Sequence, residues 1–183
     1  MFYEERRVFL DPASHFLIII IILIMKIIFH ADSDLIDVSG SVQGYQNIWD
    51  SEGDNIVTAW KSKTGLLFRE SFVNAIVFEG RGQSHPLSFR ASLSPEMKKA
   101  TIIHELGHRI LYKKIKLPEF SSLENHKHLN LCFYDILIDL DGIEFANRVV
   151  EEESKHPLYK EAWGWALSLS KEQRAEKIKE LLQ

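Results

Sequence analysis

His104 and His108 stand four residues apart in Thr101-Ile102-Ile103-His104-Glu105-Leu106-Gly107-His108-Arg109-Ile110. On an α-helix that spacing puts both imidazoles on one face, one turn apart, so both can aim a nitrogen at one metal ion. Glu105 follows the first histidine and comes close enough to reach a water at that metal. Two neutral nitrogen ligands, an open coordination position and a carboxylate that takes a proton from water are what zinc-assisted hydrolysis requires.

The chemistry needs a helix under it, and the flanking residues supply one. Ser94-Pro95-Glu96 offers an N-cap, a proline at the first helical position and an early acid. Met97, Ala100, Ile103, Leu106, Ile110 and Leu111 then recur at helical spacing, which predicts a helix from Glu96 to Lys113. Gly107 interrupts it at a cost of about 1 kcal/mol relative to alanine. A glycine there leaves room for backbone or substrate beside the metal. The competing description is an amphipathic helix with two histidines at its polar border.

This stretch resembles the zincin metallopeptidases, whose active-site helix carries the same His-Glu-x-x-His. Uncharged Thr101, Ile102, Leu106 and Gly107 follow the extended zincin pattern, and charged Arg109 departs from it. The resemblance covers residues 86–142 and is closest in kind to small single-domain bacterial zincins. It implies a Zn²⁺ cofactor, peptide or protein as substrate, and a third ligand from the next helix or loop. It also implies an edge strand just upstream that takes extended substrate by strand addition, here residues 87–93, with Pro86 at its start. The metzincin continuation is excluded, because Leu111 and Lys114 stand where it needs glycine and histidine.

Geometry narrows the third ligand. His108 lies about one and a half turns before the expected helix end. Leu117-Pro118 breaks the chain, and Ser121-Ser122-Leu123-Glu124 reads as a capping box opening the next helix. An antiparallel return puts a ligand facing His108 at His126 or His128. Glu124 falls a turn too early and Asp135 about two turns too deep. Asp135 still draws notice, since it and Asp139 are acids in the mostly apolar run Leu131–Leu140. A buried carboxylate needs a partner or a metal, or it can accept the free N–H of a ligand histidine. His126 is the leading assignment; Asp135, His128, Glu124 and Glu144 are the alternatives. Tyr159, or whichever of His126 and His128 is unused, is the candidate donor to the oxyanion.

The rest of the chain bounds this reading. With 183 residues, one domain is the default, and 45% apolar content with 26% charged suits a packed globular core. A net charge of −4 argues against nucleic-acid wrapping. The single cysteine, Cys132, excludes an internal disulfide and a cysteine-ligated zinc. An apolar run spans residues 16–29, broken by Lys26, and is short for a membrane span of roughly 20 residues. One expectation makes 16–29 a membrane anchor. The other makes residues 1–24 an upstream extension, with Met25-Lys-Ile-Ile-Phe opening a buried strand of a cytoplasmic domain over 25–183. Val42, Tyr45, Ile48 and Trp49 predict one helix, and Ile56, Val57, Ala59 and Trp60 a second, capped by Asp54 or Asn55 and ended by Gly65. Phe72–Phe78 reads as a strand, residues 80–84 as a turn, and 87–93 as a half-buried strand. After the motif come a helix to Leu140 stopped at Asp141-Gly142, one over 143–153 whose Glu151-Glu152-Glu153 reads as a solvated face, one restarted by Pro157, and one opened by a Ser170–Gln173 capping box.

The fold expected is therefore α+β: a small zincin-like domain with a short antiparallel sheet packed on a helical bundle, the motif helix at its centre. The function expected is a zinc-dependent peptidase with Glu105 as general base. The alternative is a regulatory or toxin-like binding protein on a zincin fold, without turnover; an intact Glu105 argues against it.

Overall fold

The computed structural model describes residues 25–32, 39–115 and 122–183. Among them the chain runs β1 (Lys26–Ala31), α1 (Ser39–Thr64), β2 (Phe72–Phe78), β3 (Gln83–Ser84), β4 (Leu87–Arg90), α2 (Pro95–Leu111), α3 (Ser122–Glu153), α4 (Pro157–Leu167) and α5 (Lys171–Leu181). The architecture is α+β. Met25, Ile27 and Phe29 are buried, so Met25-Lys-Ile-Ile-Phe does open a buried strand. Residues 26–29 of the segment weighed as an anchor belong to β1. Residues 1–24 lie outside the described residues. No helix among the described residues is long and apolar enough to cross a membrane.

The sheet is mixed, not antiparallel as expected. Its strands lie in the order β1-β2-β4-β3. β1 runs parallel to β2, with Ile27 opposite Val73, and β2 runs parallel to β4, with Ala75 opposite Leu87. β3 and β4 are antiparallel. Parallel neighbours cannot be joined by a tight turn and need a crossover. α1 provides it between β1 and β2, and the strap through β3 provides it between β2 and β4. The strap also corrects the edge strand expected at 87–93. Leu87 and Ser88 are flanked by β2 on one side and β3 on the other, and Ala91–Leu93 lie beyond the end of β4. The outer strand here is β3.

α1 is one continuous helix instead of the two expected. Gly53 lies inside it, where a Cβ would come within 2.9 Å of the Trp49 indole. The tryptophan covers the glycine, and the helix passes through. Gly65 does end α1, with φ of +70° and its N–H on the Lys61 carbonyl. Tyr45 stacks with Phe29 and Phe89 of the sheet at centroid distances of 5.6 and 4.9 Å, and its hydroxyl donates to the Arg90 carbonyl at 2.8 Å.

α2 sits at the centre, as expected. The Ser94 hydroxyl accepts from the Met97 N–H and Pro95 takes the first turn. The helix packs against α1, α3, β3 and β4, which is why Ile102, Ile103, Leu106 and Ile110 are all buried. Gly142, with φ of 82°, divides α3 into two segments, at the Asp141-Gly142 stop legible in the sequence. Ser170 and Gln173 form the capping box of α5. α5 is tied to α3 inside the protein: Arg174 donates from Nε and Nη2 to the Asp135 carboxylate at 3.0 and 2.8 Å.

Candidate metal centre

Three imidazoles converge where α2 meets the first segment of α3. His108 Nε2 lies 3.1 Å from His104 Nε2 and 3.3 Å from His126 Nε2. The three ligand nitrogens all fall within 4.8 Å of one another. Nitrogens held about 2.05 Å from a tetrahedral zinc are about 3.3 Å apart, a spacing that both distances from His108 match. His104 and His126 are buried and His108 is half-buried.

The outer nitrogens fix the tautomers. His126 Nδ1 faces the Ser122 carbonyl at 2.5 Å, within the first turn of α3. His104 Nδ1 faces Glu153 Oε1 at 3.0 Å. Each acceptor holds the proton on Nδ1 and leaves Nε2 turned inward with a lone pair. The second oxygen of Glu153 accepts from the Trp163 indole N–H at 2.8 Å, so α4 holds the carboxylate that holds His104. Glu153 was expected on a solvated face. It is instead turned inward, because α4 packs back onto α3 after Pro157 and brings Trp163 across it.

Electrostatics separate the three rings. Burial pushes His108 well below the ordinary imidazole value, and the neighbouring groups His104, His126 and Arg81 add to that. Burial also takes His126 down to about 4, with His104 pushing the same way. His104 moves upward: burial alone would lower it, and the charge and hydrogen bond of Glu153, with Glu105 behind, more than reverse that.

Glu105 lies in the cleft beside these rings. Its carboxyl is raised above the usual range, by burial first and Glu153 second, against the pull of His104 and Arg81. The chain that faces it is the strap Gly80-Arg81-Gly82 between β2 and β3. A Cβ on Gly82 would stand 3.0 Å from Glu105 Oε1 and 3.3 Å from the Ser88 carbonyl, so glycine is what lets the strap lie this close. Arg81 Nη2 donates to the Tyr159 hydroxyl at 2.9 Å. Tyr159 packs against His126 with the rings tilted 42° at a centroid distance of 4.5 Å, and lies 6.0 Å from His104. Two cavities, of about 320 and 480 Å³, meet along Arg81, Gly82, His104, Glu105 and Tyr159. One continues over Leu93, Met97 and Thr101; the other runs past Ser84, His85 and Asn125.

Arg109, the charged residue after the second histidine, reaches the strap from behind. Its guanidinium donates to the Ser84 carbonyl and pairs with Glu70 at 3.0 Å. Gly107 does not open space beside the metal, as expected from sequence. A Cβ there would come within 2.3 Å of the Trp60 ring and 2.4 Å of Leu129. The Trp60 N–H donates to the Ile103 carbonyl at 3.1 Å, locking α1 onto α2 directly behind His104.

Of the residues weighed as third ligand, only His126 is brought to the pair among the described residues. Asp135 is buried against Arg174. Glu124 pairs with Lys127 at 2.9 Å. His128 faces Trp165, with ring centroids 6.5 Å apart, and Glu144 is exposed. Sequence reasoning missed Arg81, Gly82, Glu153 and Trp163. The paired glycines around a lone arginine were a usable signal; nothing in the run Glu151-Glu152-Glu153 distinguished its last member. Comparison of the chain with family models, with curated proteins and with solved structures finds no match.

Proposed function

We propose that the protein is a zinc-dependent peptidase of zincin type, with His104, His108 and His126 as ligands and Glu105 as general base. The observation that carries this is the convergence of three Nε2 atoms with a buried carboxylate in the same cleft. The donor set fits the ion: three imidazoles, two with their tautomer set by an outer acceptor, suit zinc better than calcium or magnesium, which favour oxygen. When bound, Zn²⁺ would act as a Lewis acid and bring the pKa of a coordinated water to about 7.

The chain's own residues supply the rest. Glu105, its pKa raised, accepts a proton from the attacking water and returns it to the leaving amine. Tyr159 keeps its proton, since burial lifts its pKa against the opposing effect of Arg81. Arg81 donates to the Tyr159 oxygen, so the phenolic hydrogen is free to point elsewhere, toward a developing oxyanion. The Trp163–Glu153–His104 chain holds the first ligand ring in place.

Metal analysis tests the ligand set. The purified protein should carry about one zinc per chain, and His104→Ala, His108→Ala and His126→Ala should each lose it. Zinc retained at full occupancy by the His126 variant would remove the three-histidine site.

A further inference from the structure

Arg81 is the one strong positive charge that lines both cavities at the point where they meet. It makes no ion pair within 4.0 Å among the described residues, though Glu105 feels its charge; its hydrogen bond goes to the neutral Tyr159 hydroxyl, and its side chain lies 5.9 Å from the Tyr159 ring centre. Its placement is built. Gly80 precedes it where a Cβ would strike the Phe78 ring, Gly82 follows it against Glu105, and Arg109 clamps the strap at Ser84. With zinc in place and the histidines neutral, the ion, Arg81 and Arg90 outweigh Glu105 and Glu153, and the cleft is net positive. A guanidinium held next to the reacting position, with donors to spare, is suited to a planar anion.

We propose that Arg81 anchors a carboxylate of the substrate, so that the site takes peptides bearing a carboxylate beside the scissile bond. This rests on the hydrolytic reading of the same cleft and adds the substrate class to it. The carboxylate can be the C-terminus of the peptide or an acidic side chain; both present the same planar pair of oxygens.

The test reads binding, so that a failure of turnover bears on the peptidase reading and not on Arg81. The zinc-loaded full chain carrying Glu105→Gln is titrated calorimetrically with N-acetyl-trialanine as free acid and as amide. A second pair has glutamate or glutamine in the middle position of an amidated tripeptide. One charge-assisted contact is worth roughly 10–100-fold in affinity. At least one acidic probe should bind that much more tightly than its neutral twin, and which pair shows it identifies the source. Adding Arg81→Gln should abolish the difference while zinc content and circular dichroism stay unchanged, and Arg81→Lys should restore part of it. Equal binding of both members in both pairs, or no binding of either, overturns the proposal. So does an acid preference that survives Arg81→Gln.

Discussion

Glu105 and Glu153 both reach the surroundings of His104, and their roles separate by substitution. Glu105→Gln is close to isosteric and leaves all three imidazoles in place, so zinc content should stay at the wild-type level. Removal of the proposed general base should cost about 10²–10⁴-fold in turnover of any peptide the wild type cleaves. Glu153→Gln acts on the other side. A carboxylate accepts from both His104 Nδ1 and Trp163 Nε1; a carboxamide has one acceptor oxygen and sets its NH₂ against the other N–H. Zinc affinity should fall by roughly 10–100-fold, read by competition with a chromophoric chelator. Wild-type affinity in Glu153→Gln would mean that the ring needs no such support. The two carboxylates illustrate the limit of residue-level reading. Glu105 draws notice by standing next to a candidate ligand in sequence, whereas Glu153 is 49 residues from the histidine it holds.

At the scale of elements, α2 is held against α1 and α3 by packing and by ion pairs, Lys99 reaching both Glu52 of α1 and Asp141 of α3. The Trp60 indole fills the notch at Gly107 and bonds the Ile103 carbonyl, which sets how closely α1 approaches the helix that carries His104 and His108. Gly107→Ala gains helix propensity but forces a methyl into the ring and into Leu129. The clash should win, with a net loss of about 1–3 kcal/mol in urea unfolding. A stabilised Gly107→Ala protein would show that Trp60 moves aside at little cost. The parallel pairing of β1 and β2 belongs to this scale too. The pattern of apolar strand, long helix and apolar strand over residues 26–78 is that of a βαβ unit. Reading α1 as two short helices, with Asp54 or Asn55 as the cap of the second, concealed the crossover; both residues lie inside one continuous helix.

Across the whole molecule, the buried Asp135–Arg174 pair links the middle of α3 to α5, some distance in sequence from the histidines at the start of α3. Its carboxylate serves the fold. Asp135→Ala leaves the Arg174 charge buried without a counter-ion and should destabilise the protein by about 3–5 kcal/mol, while zinc stoichiometry, measured below the unfolding transition, stays at the wild-type value. Loss of zinc from a folded Asp135→Ala protein would return Asp135 to the ligand set.

Local spacing was enough to mark His104, Glu105 and His108, because a helix turns every 3.6 residues whatever surrounds it. The caps at Ser94 and Ser170 and the stops at Gly65 and Gly142 were legible for the same reason: they satisfy or release backbone groups of their immediate neighbours. His126 could be reached one step further out, since a short connection and two helix lengths constrain an antiparallel return. Arg81, Glu153 and Trp163 could not. Their roles arise from how the strap packs under Arg109 and how α4 folds back over α3, and those contacts join residues whose separation in the chain carries no period. The mixed sheet is of the same kind. Alternating apolar residues show that β2 and β4 each bury a face, but not which strand lies beside which, because side-chain alternation is identical in parallel and antiparallel pairs.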